Sequence, residues 1–232
     1  MIHLHKPTYN KIILFLFILT ASVVRGQNIQ LHYDFGKNRN YFTSTVEMFK
    51  PDKWGNTFFF IDINYGYGSY KSPSESYFEI ARCFKFREGP LSAQIEYNGG
   101  LGGNSGYSYA INNAWLLGID YGIHNAGFSK TLNLKALYKY IVGKQHSAQL
   151  TAVWNLNFSD NRISLCGFAD LWLEKDTYNT NGITNPVFIT EPQFWYNFTE
   201  HFSAGSEIEM ATNFGGVEGF KVCPTLALKW NF

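Results

Sequence analysis

Apolar and polar residues alternate one for one along most of this sequence, and the final stretch shows it most plainly. Phe220, Val222, Leu226, Leu228, Trp230 and Phe232 share one parity, while Lys221, Thr225, Ala227, Lys229 and Asn231 share the other. A period of two is that of a β-strand, because successive side chains leave opposite faces of the pleat. The apolar face ends in two aromatic residues. An apolar edge strand is an aggregation hazard in a soluble sheet. The wall of a membrane barrel requires such a face, and its last strand closes the ring. The alternative for this strand alone is the edge of a soluble sandwich.

The same alternation predicts twelve strands, at 29–36, 41–50, 57–67, 77–86, 91–98, 109–121, 130–142, 147–158, 163–174, 187–198, 202–213 and 220–232. Outward-facing sets include Leu31, Tyr33 and Phe35; Phe59, Ile61 and Ile63; and Ile111, Trp115, Leu117 and Ile119. Arg82 lands on the apolar side of the fourth strand. A charge there costs roughly 2–4 kcal/mol at the bilayer midplane and little at an interface, so either Arg82 lies near the interface or a bulge shifts the register. The breaks 51–56, 87–90 and 159–162 are tight and polar. Those at 68–76, 99–108 and 175–186 are longer and carry Gly, Ser and Asn. Short turns at one end and longer loops at the other are the asymmetry of outer-membrane barrels. Two breaks do not fit: 122–129 is long for the short-turn end, and 143–146 is short for the other.

The fold expected is therefore all-β, a twelve-stranded antiparallel transmembrane barrel. Its second face must line a lumen, because the polar parity carries more ionisable groups than a dry core can hold. The candidate lumen and solute-binding residues are Asp62, Glu79, Lys85, Glu96, Asp120, Lys135, Lys139, Asp170, Glu191, Glu207 and Glu209, joined by the aromatics Phe168, Trp172 and Trp195. Asp34, Glu47, Glu174, Lys221, Lys229 and Tyr77 have the same parity. These charges either pair to brace a plugged barrel or form a narrow selective wall. Twelve strands enclose more than eight and less than a sixteen-stranded porin, which suits small solutes rather than oligosaccharides. Aromatic planes beside hydrogen-bonding groups suit a base and its ribose, although they can equally fill space.

Composition narrows the setting. Lys and Arg number 19 against 18 Asp and Glu, which argues against a nucleic-acid partner. Aromatics make up 18% of the chain, a load suited to belts at a membrane interface. Lys6 and Lys11 precede an apolar run, 12–24, that is too short to span a bilayer. With the small residue Gly26 it has the form of a secretory signal peptide, so residues 1–26 are expected to be removed and 27–232 to form the barrel. Cys83, Cys166 and Cys223 are widely spaced inside strands and match no metal motif. They are expected to be small structural side chains, one disulfide being the alternative. No cofactor is indicated.

Four segments carry a resemblance: Asn113 to Gly118 in the sixth strand, Gly167 to Trp172 in the ninth, Glu191 to Trp195 in the tenth and Gly205 to Glu209 in the eleventh. In order and spacing they are similar to the nucleoside-specific channel (Tsx-like) family, and most of all to an uncharacterised branch of it from Bacteroides-type bacteria. The resemblance implies a monomeric twelve-stranded barrel in outer-membrane lipid, with a narrow lumen and uptake of nucleosides. The ending at Phe232 likewise resembles the signal by which the barrel assembly machinery recognises its clients.

Other classes remain open. An outer-membrane hydrolase needs a base near a nucleophile, but His124, His146 and His201 fall at turns, and no serine sits in a G-x-S-x-G elbow. The glycine-rich run 99–106 lacks the Lys-Ser/Thr of a phosphate loop and is expected to be a flexible outer loop. A closed barrel with adhesive or ligand-binding loops and a soluble periplasmic barrel are the further alternatives. Conductance and detergent dependence distinguish them.

Overall fold

The computed structural model describes residues 26–66, 72–104, 106–175 and 184–232. Thirteen strands follow in order: β1 (Gln27–Asp34), β2 (Phe42–Asp52), β3 (Gly55–Tyr65), β4 (Pro73–Lys85), β5 (Leu91–Asn104), β6 (Tyr107–His124), β7 (Lys130–Ile141), β8 (Ser147–Phe158), β9 (Ile163–Lys175), β10 (Thr184–Thr190), β11 (Gln193–Asn197), β12 (Phe202–Thr212) and β13 (Phe220–Asn231). All pairings are antiparallel, and β13 returns to β1 with Leu31 opposite Leu228. β10 and β11 lie end to end between β9 and β12, so the ring has twelve staves. The break falls at Glu191-Pro192, because proline has no N–H to give a ladder. The register is kept across it, with Thr190 opposite Ala169 and Gln193 opposite Cys166.

The outer wall is the apolar parity. Leu226, Leu228, Trp230, Leu117 and Leu150 are all exposed, whereas Ala227, Gln149 and Leu116 on the opposite parity are buried. Closure satisfies every stave's backbone, which a hydrocarbon environment demands. Gln27 and Phe232 lie together at the end with the tighter connections, the periplasmic end by the usual asymmetry.

Arg82 needs no bulge. It stands opposite Thr57 in an unshifted part of the ladder. Its guanidinium reaches Asp52, at the periplasmic end of β2, by contacts of 2.7 and 2.9 Å, which places the charge at the interface.

Three expectations are corrected. The run 99–108 is not a loop: β5 continues through Gly99–Asn104 and β6 begins at Tyr107. Its glycines serve close approach rather than flexibility. A Cβ on Gly100 would lie 2.2 Å from the Ser76 carbonyl oxygen, and one on Gly102 2.3 Å from the ring of Tyr109, which covers that position. Ile111 faces the lumen and not lipid. Asn98 stands opposite Ala114 but Gly100 opposite Ile111, so β6 carries one extra residue at Asn112–Asn113, and this bulge reverses the phase beyond it. The turn after β6 is Asn125–Ser129, since β6 runs on to His124, and the length misfit at 122–129 disappears. Residues 67–71, where the expected third strand ends and an outer loop begins, and 176–183, part of another expected outer loop, lie outside the described residues.

Candidate functional site

The inner parity encloses a cavity of about 2810 Å³. Its lining runs from Lys37, Lys144 and Gly216 at the outer end to Pro90, Arg162 and Glu200 at the periplasmic end. Asp62, Glu79, Lys85, Glu96, Asp120, Lys135, Lys139, Phe168, Asp170, Trp172, Glu191, Glu207 and Glu209 all contribute to this wall. Trp195 also points inward but is 0% exposed, covered by its neighbours. The alternation thus placed every candidate on the inner face, and the barrel divides them into groups.

One group holds Asp62, Glu191 and Glu207, which lie within electrostatic reach of one another across the staves. Thr45 donates to Asp62 at 2.5 Å and Gln193 to Glu207 at 2.6 Å. A second gathers Glu79, Glu96 and Asp170 around Lys135 and Lys139. Thr151 donates to Asp170 at 2.5 Å and Lys139 to Gln149 at 2.6 Å, and the Lys139 ammonium sits 3.5 Å from the Trp172 ring centroid. Among the described residues no carboxylate of these two groups is held in a direct ion pair. Charges left unpaired in this way need water, which a lumen supplies and a dry core does not.

A third group closes one side of the wall. The Lys229 ammonium lies 4.0 Å from the Trp195 ring centroid, and His32 meets the same indole edge-on at 6.0 Å. His32 is fixed by Thr225 at 3.0 Å and Gln30 at 2.9 Å. Trp195 lies over Gly205, where an added Cβ would stand 2.1 Å from the Phe194 carbonyl oxygen and 2.6 Å from the indole. Gly205→Ala is therefore expected to cost about 1–3 kcal/mol, as overpacking does. Denaturant unfolding of the reconstituted barrel checks this, and an unchanged midpoint would contradict the packing.

The outer mouth carries a belt of contacts that alternation did not reveal. Arg39, in the connection between β1 and β2, donates to Asp34 at 2.8 Å and to both Glu209 oxygens at 3.1 and 2.9 Å. Lys221 pairs with Glu209 at 2.9 Å. Burial opposes the Arg39 charge, but Glu209 and Asp34 more than offset it, and the guanidinium pKa is raised. Further round, Thr43 donates to Asn64 at 2.6 Å, Asn64 to Glu75 at 3.0 Å, and Tyr109 also donates to Glu75. Lys144 pairs with Glu174, which also accepts from the Trp172 indole at 3.1 Å. The one local sign of this belt was Asn38-Arg39-Asn40, whose two asparagines tolerate the positive φ of a tight turn.

The interior also holds apolar patches the alternation missed. Val187, Ile189, Ala211 and Trp172 pack together, as do Ala114, Leu116 and Leu137. The three cysteines are unpaired. Cys83 donates to Gln94 and Asp120 within the wall, so no disulfide braces the ring.

A closed ring of twelve staves, apolar outside and charged around an inner cavity, is a transmembrane β-barrel of the bacterial outer membrane. The chain belongs to the family described as a domain of unknown function, DUF5020, whose model matches residues 26–232. No curated protein matches the sequence. Among solved structures it is similar in form to the KdgM porin, at 10% identity and a TM-score of 0.48, over 88% of this chain and 99% of that one. It is also similar to Omp33 of Acinetobacter baumannii, at 12% and 0.45 over 90% and 98%. The outer membrane channel DcaP of that organism gives 13% and 0.42 over 84% and 64%. These are likenesses of general form.

Proposed function

We propose that this barrel is a passive channel for small polar solutes, with nucleosides the solute class that its wall suits best. The observation that carries the reading is the charged cavity of about 2810 Å³ whose lining reaches both rims. No energy source is part of the proposal. Aromatic rings stand on the wall beside carboxylates: Phe58, Phe60 and Tyr77 follow one another at centroid spacings of 6.0 and 5.9 Å, next to Asp62 and Glu79. A base stacks on such rings, and ribose hydroxyls donate to such carboxylates. The likeness of four strand segments to nucleoside channels supports the same solute.

The test is single-channel conductance of the refolded protein in a planar bilayer, with adenosine or thymidine added. Discrete steps that nucleoside reduces at about 1 mM, a binding free energy near −4 kcal/mol, are expected. Steps indifferent to nucleoside discard that solute and keep the channel. The apolar packing around Trp172 and Leu116 favours the other reading, a closed barrel that works through its outer loops. Folded protein that gives no steps would establish that reading instead.

A further inference from the structure

We infer that Arg39 sets the size limit of the outer mouth, acting as a strap that holds the connection between β1 and β2 folded into the lumen. This inference rests on the channel reading above. The connection, 35–41, does not extend away from the barrel. Lys37, Asn38, Arg39 and Tyr41 all line the cavity. Two kinds of contact keep it there.

The first is a backbone turn. Arg39 N–H donates to the Gly36 carbonyl at 2.9 Å, Asn40 N–H to the Asp34 carbonyl at 3.0 Å and Gly36 N–H to the Asp34 carboxylate at 2.6 Å. Asn38 and Asn40 take φ of 65° and 57° to make it. Gly36 presses on the wall, since a Cβ there would lie 2.7 Å from the Cys223 sulfur.

The second is the guanidinium. It leaves the turn, crosses the inner face of β13 and ends on Glu209 of β12, with Asp34 of β1 on its other side. Two staves and a loop are thereby joined through one side chain. Bidentate contact with a carboxylate fixes direction as well as distance, which a lysine in its place would not do. Lys221 shares the Glu209 Oε1 with the guanidinium, at 2.9 Å, and helps to hold that carboxylate in place. A loop tethered at one point by charge and elsewhere by a short turn opens more easily than the paired staves beside it. Loss of the tether frees the loop and leaves the ring intact.

The experiment compares the full-length wild type with Arg39→Ala and Glu209→Gln, each refolded into the same bilayer. Arg39→Ala is expected to raise unit conductance by about twofold or more and to admit larger neutral polymers, because pore diameter governs both. Glu209→Gln is expected to move in the same direction, and the double variant no further than Arg39→Ala. A second readout does not depend on conduction. Tryptic cleavage after Lys37 requires local unfolding of the turn, so it should quicken in Arg39→Ala. A wild type that conducts, with a variant of equal conductance and equal size cut-off, overturns the inference and leaves the channel standing. If neither protein conducts, the channel reading fails, and the cleavage rate alone decides whether Arg39 straps the loop. A barrel that conducts only once Arg39 is removed supports both.

Discussion

Leu117→Arg is expected to destabilise the barrel by about 2–4 kcal/mol in a lipid bilayer, the cost of a guanidinium near the hydrocarbon midplane. Leu117 is 59% exposed on the outer face of β6, with Ile95 and Tyr138 opposite it on the two neighbouring staves. In lipid its surroundings are acyl chains, and no carboxylate on these neighbours offers a partner. Leu101→Arg is the control. It also faces outward, but near the outer tip of the β5–β6 hairpin, where the cost should fall to about 0–1 kcal/mol. Denaturant titration of the reconstituted variants measures both. A barrel that folds in water would lose no more than about 0.5 kcal/mol at either position, as exposed surface substitutions do. Equal, small losses would therefore contradict the membrane wall.

The two faces were legible in the sequence because a strand's parity is also its sidedness. β13 shows it: Leu226, Leu228 and Trp230 are outside, Cys223 and Ala227 are buried inside, and no residue between them is out of phase. What failed is what parity cannot encode. The bulge at Asn112–Asn113 adds one residue without any change of composition, so Ile111 was placed on the wrong side. Glycine usually marks a turn, but Gly100 and Gly102 are strand positions whose missing side chains make room for Ser76 and Tyr109. Leu116 and Leu137 have polar parity and apolar chemistry, and only the register of β6 on β7, with Leu116 opposite Lys139 and Gly118 opposite Leu137, shows that they meet. Arg39 lay in a connection with no period at all. Its role depends on Glu209, 170 positions away along the chain, and the Asn38-Arg39-Asn40 turn announces a bend but not that partner.

Asp62→Asn, Glu191→Gln and Glu207→Gln combined are expected to lower the cation preference of the proposed channel severalfold. Among the described residues fifteen carboxylates against nine Lys and Arg side chains line the cavity, so the wild-type lumen attracts cations. Among the described residues none of these three carboxylates is held in a direct ion pair, so their charge is not cancelled by contact with a cation. At about 8 Å in a water-like medium one charge contributes about 0.5 kcal/mol, roughly twofold in local ion concentration. Three together approach tenfold at low salt, and screening with a Debye length near 10 Å trims this to a few-fold at about 0.1 M. The amides keep an oxygen to accept from Thr45 and from Gln193, so the wall should stay folded. Glu218→Gln, on the outer connection between β12 and β13, is the matched control and should change little. The reversal potential across a potassium chloride gradient reads the ratio directly. An unchanged potential in the triple variant would mean that permeating ions do not pass these carboxylates, and the conducting path would then have to run along the Lys135–Lys139 side of the lumen.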